Sequence, residues 1–220
     1  MSVISIRHWF DQVYWHADHP PAFAEVSAII HQDSDAWVEF IASYPLYQIW
    51  TQESIQALAD YVVRQQSQCI VEVGAGNGYL SHWLRPLLPG TTIIPTDNYS
   101  WRSLISQQLP DEPVKQHDVI DALRIYHPDT VLSSWMPYGA DWTPAFRQSG
   151  ATTYVLIGEG LGGCVGSDES WQIAEGWQSQ RIPGFAEYSL CRTDYLSPYA
   201  DSPRIRQQSL AMAFEKVGHG

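Results

Sequence analysis

The spacing of apolar residues changes character near residue 51. Before it, Val3, Ile6, Trp9, Phe10, Val13 and Tyr14 recur at helical intervals and give residues 2–17 one strongly aromatic face. Asp18-His19-Pro20-Pro21 stops that helix. The pattern predicts a second helix over 22–31. A third is capped by Asp33 or Ser34 and carries Trp37, Phe40 and Ile41 on one side. A bulky connector, Tyr44 to Trp50, follows. Residues 1–50 therefore predict a helical cap whose aromatic face closes over another surface as a lid.

From Thr51 the period alternates. Thr51 caps a helix with Ile55, Leu58, Ala59 and Val62 at i, i+3, i+4 and i+7. Short β-branched runs then predict strands over 70–73, 92–96, 113–116, 130–134 and 153–157. Helical patterns fall between them over 100–109 and 119–125, and from Thr143-Pro144 onward. Such alternation predicts a parallel sheet. A helix over 168–178 and two hairpin strands over 188–195 and 207–214 close the chain. Residues 51–220 are expected to form one α/β domain with the cap packed on it.

The stretch that organises this domain is Ile70-Val71-Glu72-Val73-Gly74-Ala75-Gly76-Asn77-Gly78. A buried strand breaks into alternating glycines and resumes as a helix at Leu80, Leu84 and Leu87, the opening of a nucleotide-binding βαβ unit. The dinucleotide fingerprint needs its third glycine three residues after the second, and Gly74, Gly76 and Gly78 do not meet it. Glu72 would also repel a pyrophosphate. Glu-x-Gly-x-Gly-x-Gly resembles the first motif of the class I S-adenosylmethionine-dependent methyltransferases. Their cofactor carries an α-amino group and no phosphate, which suits the acid.

The resemblance covers about residues 51–220. It implies a seven-stranded, mostly parallel, doubly wound α/β sheet and S-adenosylmethionine as cofactor. Glu72, Gly74 and Gly76 would hold its methionine end. Gly78 would either touch it or let helix and sheet pack closely. Asp97 lies roughly 20 residues past the glycine turn, where an acid takes ribose hydroxyls, with Asn98 as its substitute. Asp118 would accept from the adenine amino group with Val119 against the ring, or cap the helix at 119. Ser134 ends the fourth strand and is expected beside the cofactor.

The segment Ser134-Trp135-Met136-Pro137-Tyr138 resembles the Asn/Asp-Pro-Pro-Tyr segment of amino-methylating members only in its Pro-Tyr half. Trp135 supplies no side-chain acceptor for an amine, so no amine acceptor is inferred. Trp135, Tyr138, Trp142 and Tyr14 are candidate walls of the acceptor pocket, with core packing as the alternative. Glu159 follows the fifth strand in a glycine-rich loop. It is a candidate base or a solvated loop residue, and Tyr138 is a second catalytic candidate. Cys164 in that loop lacks a placed His base and reads as a small buried thiol.

Composition narrows the partners. A formal charge of −12, with only 12 Lys plus Arg in 220 residues, argues against nucleic acid and against anionic membranes. Ten Trp and twelve Tyr suit a pocket for a flat or apolar ligand. Three cysteines without metal-ligand spacing predict a reduced, cytoplasmic setting. His8, His16 and His19 have no second ligand cluster, so no metal is expected. No apolar run approaches the roughly 20 residues of a membrane span. The expected function is methyl transfer to a small-molecule acceptor. Two readings compete with it: a non-methylating isomerisation or cyclisation on the same fold, and a non-catalytic binding protein.

Overall fold

The structure is a computed structural model, and it describes residues 5–43, 46–100, 113–160, 162–195 and 209–218. Residues 101–109 of the helix expected over 100–109 and the start of the strand expected at 207 lie outside the described residues, as do Val3, Tyr44 and Pro45.

The chain opens with α1 (Ile6–Gln12), a short 3₁₀ turn at Tyr14–His16, α2 (Phe23–Gln32) and α3 (Ser34–Ser43). The Asp33 carboxylate accepts from the Asp35 and Ala36 amides and so caps α3. Next come β1 (Gln48–Ile49) and α4 (Gln52–Gln65), which starts on a Thr51–Ser54 capping box. The α/β alternation follows as β2 (Cys69–Val73), α5 (Tyr79–Leu84), β3 (Thr92–Asp97), β4 (Lys115–Gln116) and α6 (Val119–Tyr126). It continues through β5 (Thr130–Ser134), α7 (Thr143–Gln148) and β6 (Thr153–Gly158). The chain ends with β7 (Trp177–Arg181), β8 (Leu190–Cys191) and β9 (Leu210–Lys216).

Seven strands form one sheet in the order β4-β3-β2-β5-β6-β9-β7. The first five run parallel, and β9 runs antiparallel to both β6 and β7. Compared with the dinucleotide-binding order 3-2-1-4-5-6, the last strand is inserted between the fifth and the sixth. This is the expected seven-stranded, mostly parallel class I methyltransferase-like fold. Residue alternation divides the sheet between two cores. Ile70, Leu132, Val155 and Ile157 face α4, α5 and the N-terminal helices, while Val71, Val131, Tyr154 and Leu156 pack with residues of α6 and α7.

Four expectations fail locally. Residues 168–171 form a 3₁₀ turn, and Trp177 begins β7 instead of continuing a helix. The closing hairpin is β7 with β9, whereas β8 leaves the main sheet to pair antiparallel with β1. Thr143 is the first residue of α7 and not its cap, a position held by Trp142. Leu87 lies in a 3₁₀ turn after α5 and is 39% exposed, while Leu88 takes the core position.

The aromatic face of α1 does not form a lid. Phe10 stacks on Phe40 at 4.8 Å, Tyr14 meets Trp83 edge-on at 5.4 Å, and Trp15 lies 4.3 Å from Tyr79. These rings form one continuous core with α5 and the sheet. Polar ties reinforce the join. Trp37 Nε1 donates to the Asp194 carbonyl at 2.9 Å, and the Phe23 amide donates to the Glu53 carboxylate at 2.8 Å.

Candidate functional site

The carboxyl ends of β2, β3, β4 and β5 open onto a cavity of about 660 Å³. This is the switch point of the sheet, where chain order reverses between β2 and β5 and where open α/β sheets place ligands.

The glycine turn forms its floor. Gly74, Gly76 and Gly78 have φ of 68°, 58° and 81°, the left-handed region that disfavours any side chain. Their roles then diverge. A Cβ on Gly74 would stand 3.2 Å from the Trp142 ring, and one on Gly76 would project into open space. A Cβ on Gly78 would meet Val114 at 3.0 Å, and Gly78 does not line the cavity. Of the two readings for Gly78, close packing is the one its surroundings fit.

Two buried acids brace the turn. Asp97 ends β3, and its oxygens accept from the Gly76 amide at 3.0 Å and the Tyr99 amide at 2.7 Å. Glu72 accepts from the Ser81 hydroxyl at 2.5 Å and the Ser81 amide at 3.2 Å. Burial pushes the Glu72 carboxyl up to about 7, against the opposing pull of those two hydrogen bonds and of the Arg85 charge. Asp118 caps α6 through the Asp121 amide at 2.8 Å and also lines the cavity. Asn98, Val119, Ser134, Trp135 and Trp142 line it too.

Two expected contacts, those of Tyr14 and Glu159, are corrected. Tyr14 lies wholly in the core, where its hydroxyl accepts from the Trp50 amide at 2.6 Å and donates to the Trp50 carbonyl at 3.1 Å. It supports the wall that Trp15 and Trp50 present to the cavity. Tyr138 lines the cavity at its mouth and is 80% exposed. Glu159 does not line the cavity. Its carboxylate accepts from the hydroxyl of Thr193, from Cys164 Sγ at 3.2 Å and from Cys191 Sγ at 3.8 Å. Thr193 and Cys164 stand in the lining in its place. Cys164 is exposed, contrary to expectation, and partial burial of its sulfur beside Glu159 pushes the thiol up to about 11. It is therefore a protonated donor at neutral pH.

The sequence reading missed the β1–β8 ribbon. Gln48 makes hydrogen bonds at all four positions of its amide. Its oxygen accepts from Trp135 Nε1 at 2.9 Å and the Ser209 hydroxyl at 2.8 Å, and its nitrogen donates to the Ser189 hydroxyl and the Leu190 carbonyl, both at 2.8 Å. It thereby fixes the indole of Trp135, whose backbone sits at a φ of 57°, a strained conformation for a bulky residue. The available signal was one polar residue inside the apolar connector 46–50. On the other strand of the ribbon, the Arg192 amide donates to the Tyr47 carbonyl at 2.9 Å.

The sheet order and strand directions give the chain a class I methyltransferase-like fold. No protein-family model matches the chain, and no curated protein matches it. Among solved structures it is similar to human N-acetylserotonin methyltransferase bound to S-adenosylmethionine, at 9% identity and a TM-score of 0.47, covering 98% of this chain and 70% of that one. It is also similar to the plantazolicin methyltransferase BpumL, at 10% identity and a TM-score of 0.46, over 96% of this chain and 93% of that one. A third is the methyltransferase domain of bacterial CtHen1, at 11% identity and a TM-score of 0.46, over 74% and 97%. At these values the likenesses carry no weight of their own, and the fold assignment rests on strand order and direction. Among the described residues, no helix is long and apolar enough to cross a membrane.

Proposed function

We propose that the protein is an S-adenosylmethionine-dependent methyltransferase acting on a small-molecule acceptor. The observation that supports this most is the meeting of Glu72, the Gly74–Gly76 turn and Asp97 on one wall of a single cavity. These residues fit the cofactor. The open space at Gly76 leaves room for close approach of a ligand to backbone. Asp97 retains acceptor lone pairs for hydroxyls, and Glu72 offers a carboxylate to an amino group. Asp118 and Val119 line the same cavity and would hold the adenine ring. When bound, the cofactor supplies a methyl group on a sulfonium leaving group.

The remaining requirement is alignment in a dry pocket, since an activated donor needs mainly proximity and orientation. Trp15, Trp50, Trp135 and Trp142 present apolar walls that position a flat acceptor and exclude water. Glu159 is a positioning residue in this account. It holds the Thr193 hydroxyl hydrogen, so the hydroxyl oxygen, 3.1 Å from Cys191 Sγ, keeps one further lone pair to accept a hydrogen bond from an acceptor in the cavity. The cavity is of the size that holds small ligands, about 300–1,000 Å³, and a net charge of −12 disfavours a nucleic-acid acceptor.

Native mass spectrometry of the purified protein tests the reading. The expected result is a bound mass of S-adenosylmethionine or S-adenosylhomocysteine, either retained or after incubation. Uptake of NAD with no uptake of either adenosyl compound counts against it.

A further inference from the structure

We propose that the acceptor is an aromatic carboxylic acid and that Arg192 binds its carboxylate. This rests on the methyl-transfer reading of the same cavity.

Charge is divided across the cavity. Glu72, Asp97 and Asp118 line it on the side of β2, β3 and β4. Arg192 follows β8, in the ribbon tied to the ends of β5 and β6 through Gln48–Trp135 and Thr193–Glu159. It is the only Lys or Arg among the described residues that line the cavity. Among the described residues, no carboxylate is ion-paired with it.

The guanidinium is held in place but not used up. Its carbon lies 4.7 Å over the Tyr47 ring, and Nη2 donates to the Ile41 carbonyl at 3.3 Å. Tyr47 in turn lies 5.6 Å from Trp135. Guanidinium and rings therefore follow one another along a single wall. An arginine has five N–H donors in a planar fork, and a carboxylate takes two of them side by side. A flat ring beside Trp135 with a carboxylate toward Arg192 satisfies both features of that wall.

The single cation also selects among anions. One guanidinium balances a carboxylate of charge −1. A phosphate ester near −2 would be left under-compensated in a cavity that already carries three acids. The flat stacked fork suits carboxylate recognition better than a lysine would.

The test uses the full chain saturated with S-adenosylhomocysteine. Indole-3-acetate and 4-hydroxybenzoate are titrated calorimetrically, each beside its primary amide. At least one acid should bind about 10-fold or more tightly than its amide, the scale of a charge-assisted hydrogen bond. Arg192→Gln should lower that acid's affinity about 10- to 100-fold and leave the amide within about twofold. Arg192→Lys should keep part of the preference, which separates charge from folding. Unchanged affinity of Arg192→Gln for S-adenosylhomocysteine shows that the site is intact. Equal binding of acids and amides, no binding of either acid, or a preference that survives Arg192→Gln overturns the inference. Failure of S-adenosylhomocysteine to bind overturns the methyl-transfer reading with it, and the first titration already shows that outcome.

Discussion

Glu72→Gln should make the protein more stable at alkaline pH. Glu72 is buried at the end of β2, and burial raises its carboxyl from an ordinary 4.5 to about 7 in the folded chain. A carboxyl raised in this way holds its proton longer folded than unfolded. Its contribution to stability is therefore fully present below 4.5 and is lost as pH rises through 7. At about 1.4 kcal/mol per tenfold change in acidity, this one group costs the fold about 2.5 kcal/mol between about pH 5 and pH 8. Glutamine removes the charge and keeps the shape. Its amide oxygen can still accept from the Ser81 hydroxyl and amide, which both bind one Glu72 oxygen. Urea unfolding of both proteins at the two pH values measures the difference. The wild type should lose about 2.5 kcal/mol relative to the variant, in a protein of the usual marginal stability. Parallel loss in the two proteins would refute the view that Glu72 is a desolvated acid.

Other expectations follow from the ribbon and the turn. Gln48→Leu leaves Trp135 Nε1 and the Ser189 and Ser209 hydroxyls without their shared partner, and should cost about 2–4 kcal/mol in thermal or urea unfolding. Gly76→Ala forces a Cβ onto a φ of 58° and into the open space beside Asp97, and should abolish S-adenosylhomocysteine binding in a folded protein, as read by calorimetry and circular dichroism. Thr193→Val and Glu159→Gln should lower turnover by similar factors, with the double variant no worse than either, because the two groups act as one unit. A far larger loss in Glu159→Gln than in Thr193→Val would show a base acting directly.

What the sequence made legible was local. Glu72, the three glycines and Asp97 declare themselves because strand, turn and following strand lie within thirty residues and each residue's type follows from its own backbone position. Asp118 was legible as a cap for the same reason. Gln48, Arg192 and Thr193 were not, because their roles come from pairing Gln48 with Cys191 across the chain. Helical periodicity showed that the N-terminal aromatics of α1 and the following 3₁₀ turn were buried, but not against what. They meet Tyr79 and Trp83 of α5 rather than the cavity mouth, so Tyr14 reads falsely as a pocket residue. The spacing of Trp171, Ala174 and Trp177 imitates a helix, yet Gly176 at a φ of 76° turns the chain into β7. That glycine was the available signal.

The most direct measurement is a calorimetric titration of the purified protein with S-adenosylmethionine, S-adenosylhomocysteine and NAD, repeated for Asp97→Asn. Both adenosyl compounds should bind at one site, NAD should give no heat, and Asp97→Asn should weaken the adenosyl compounds about 10-fold or more through its loss of charged acceptors. Binding of NAD, or adenosyl binding indifferent to Asp97, would contradict the account.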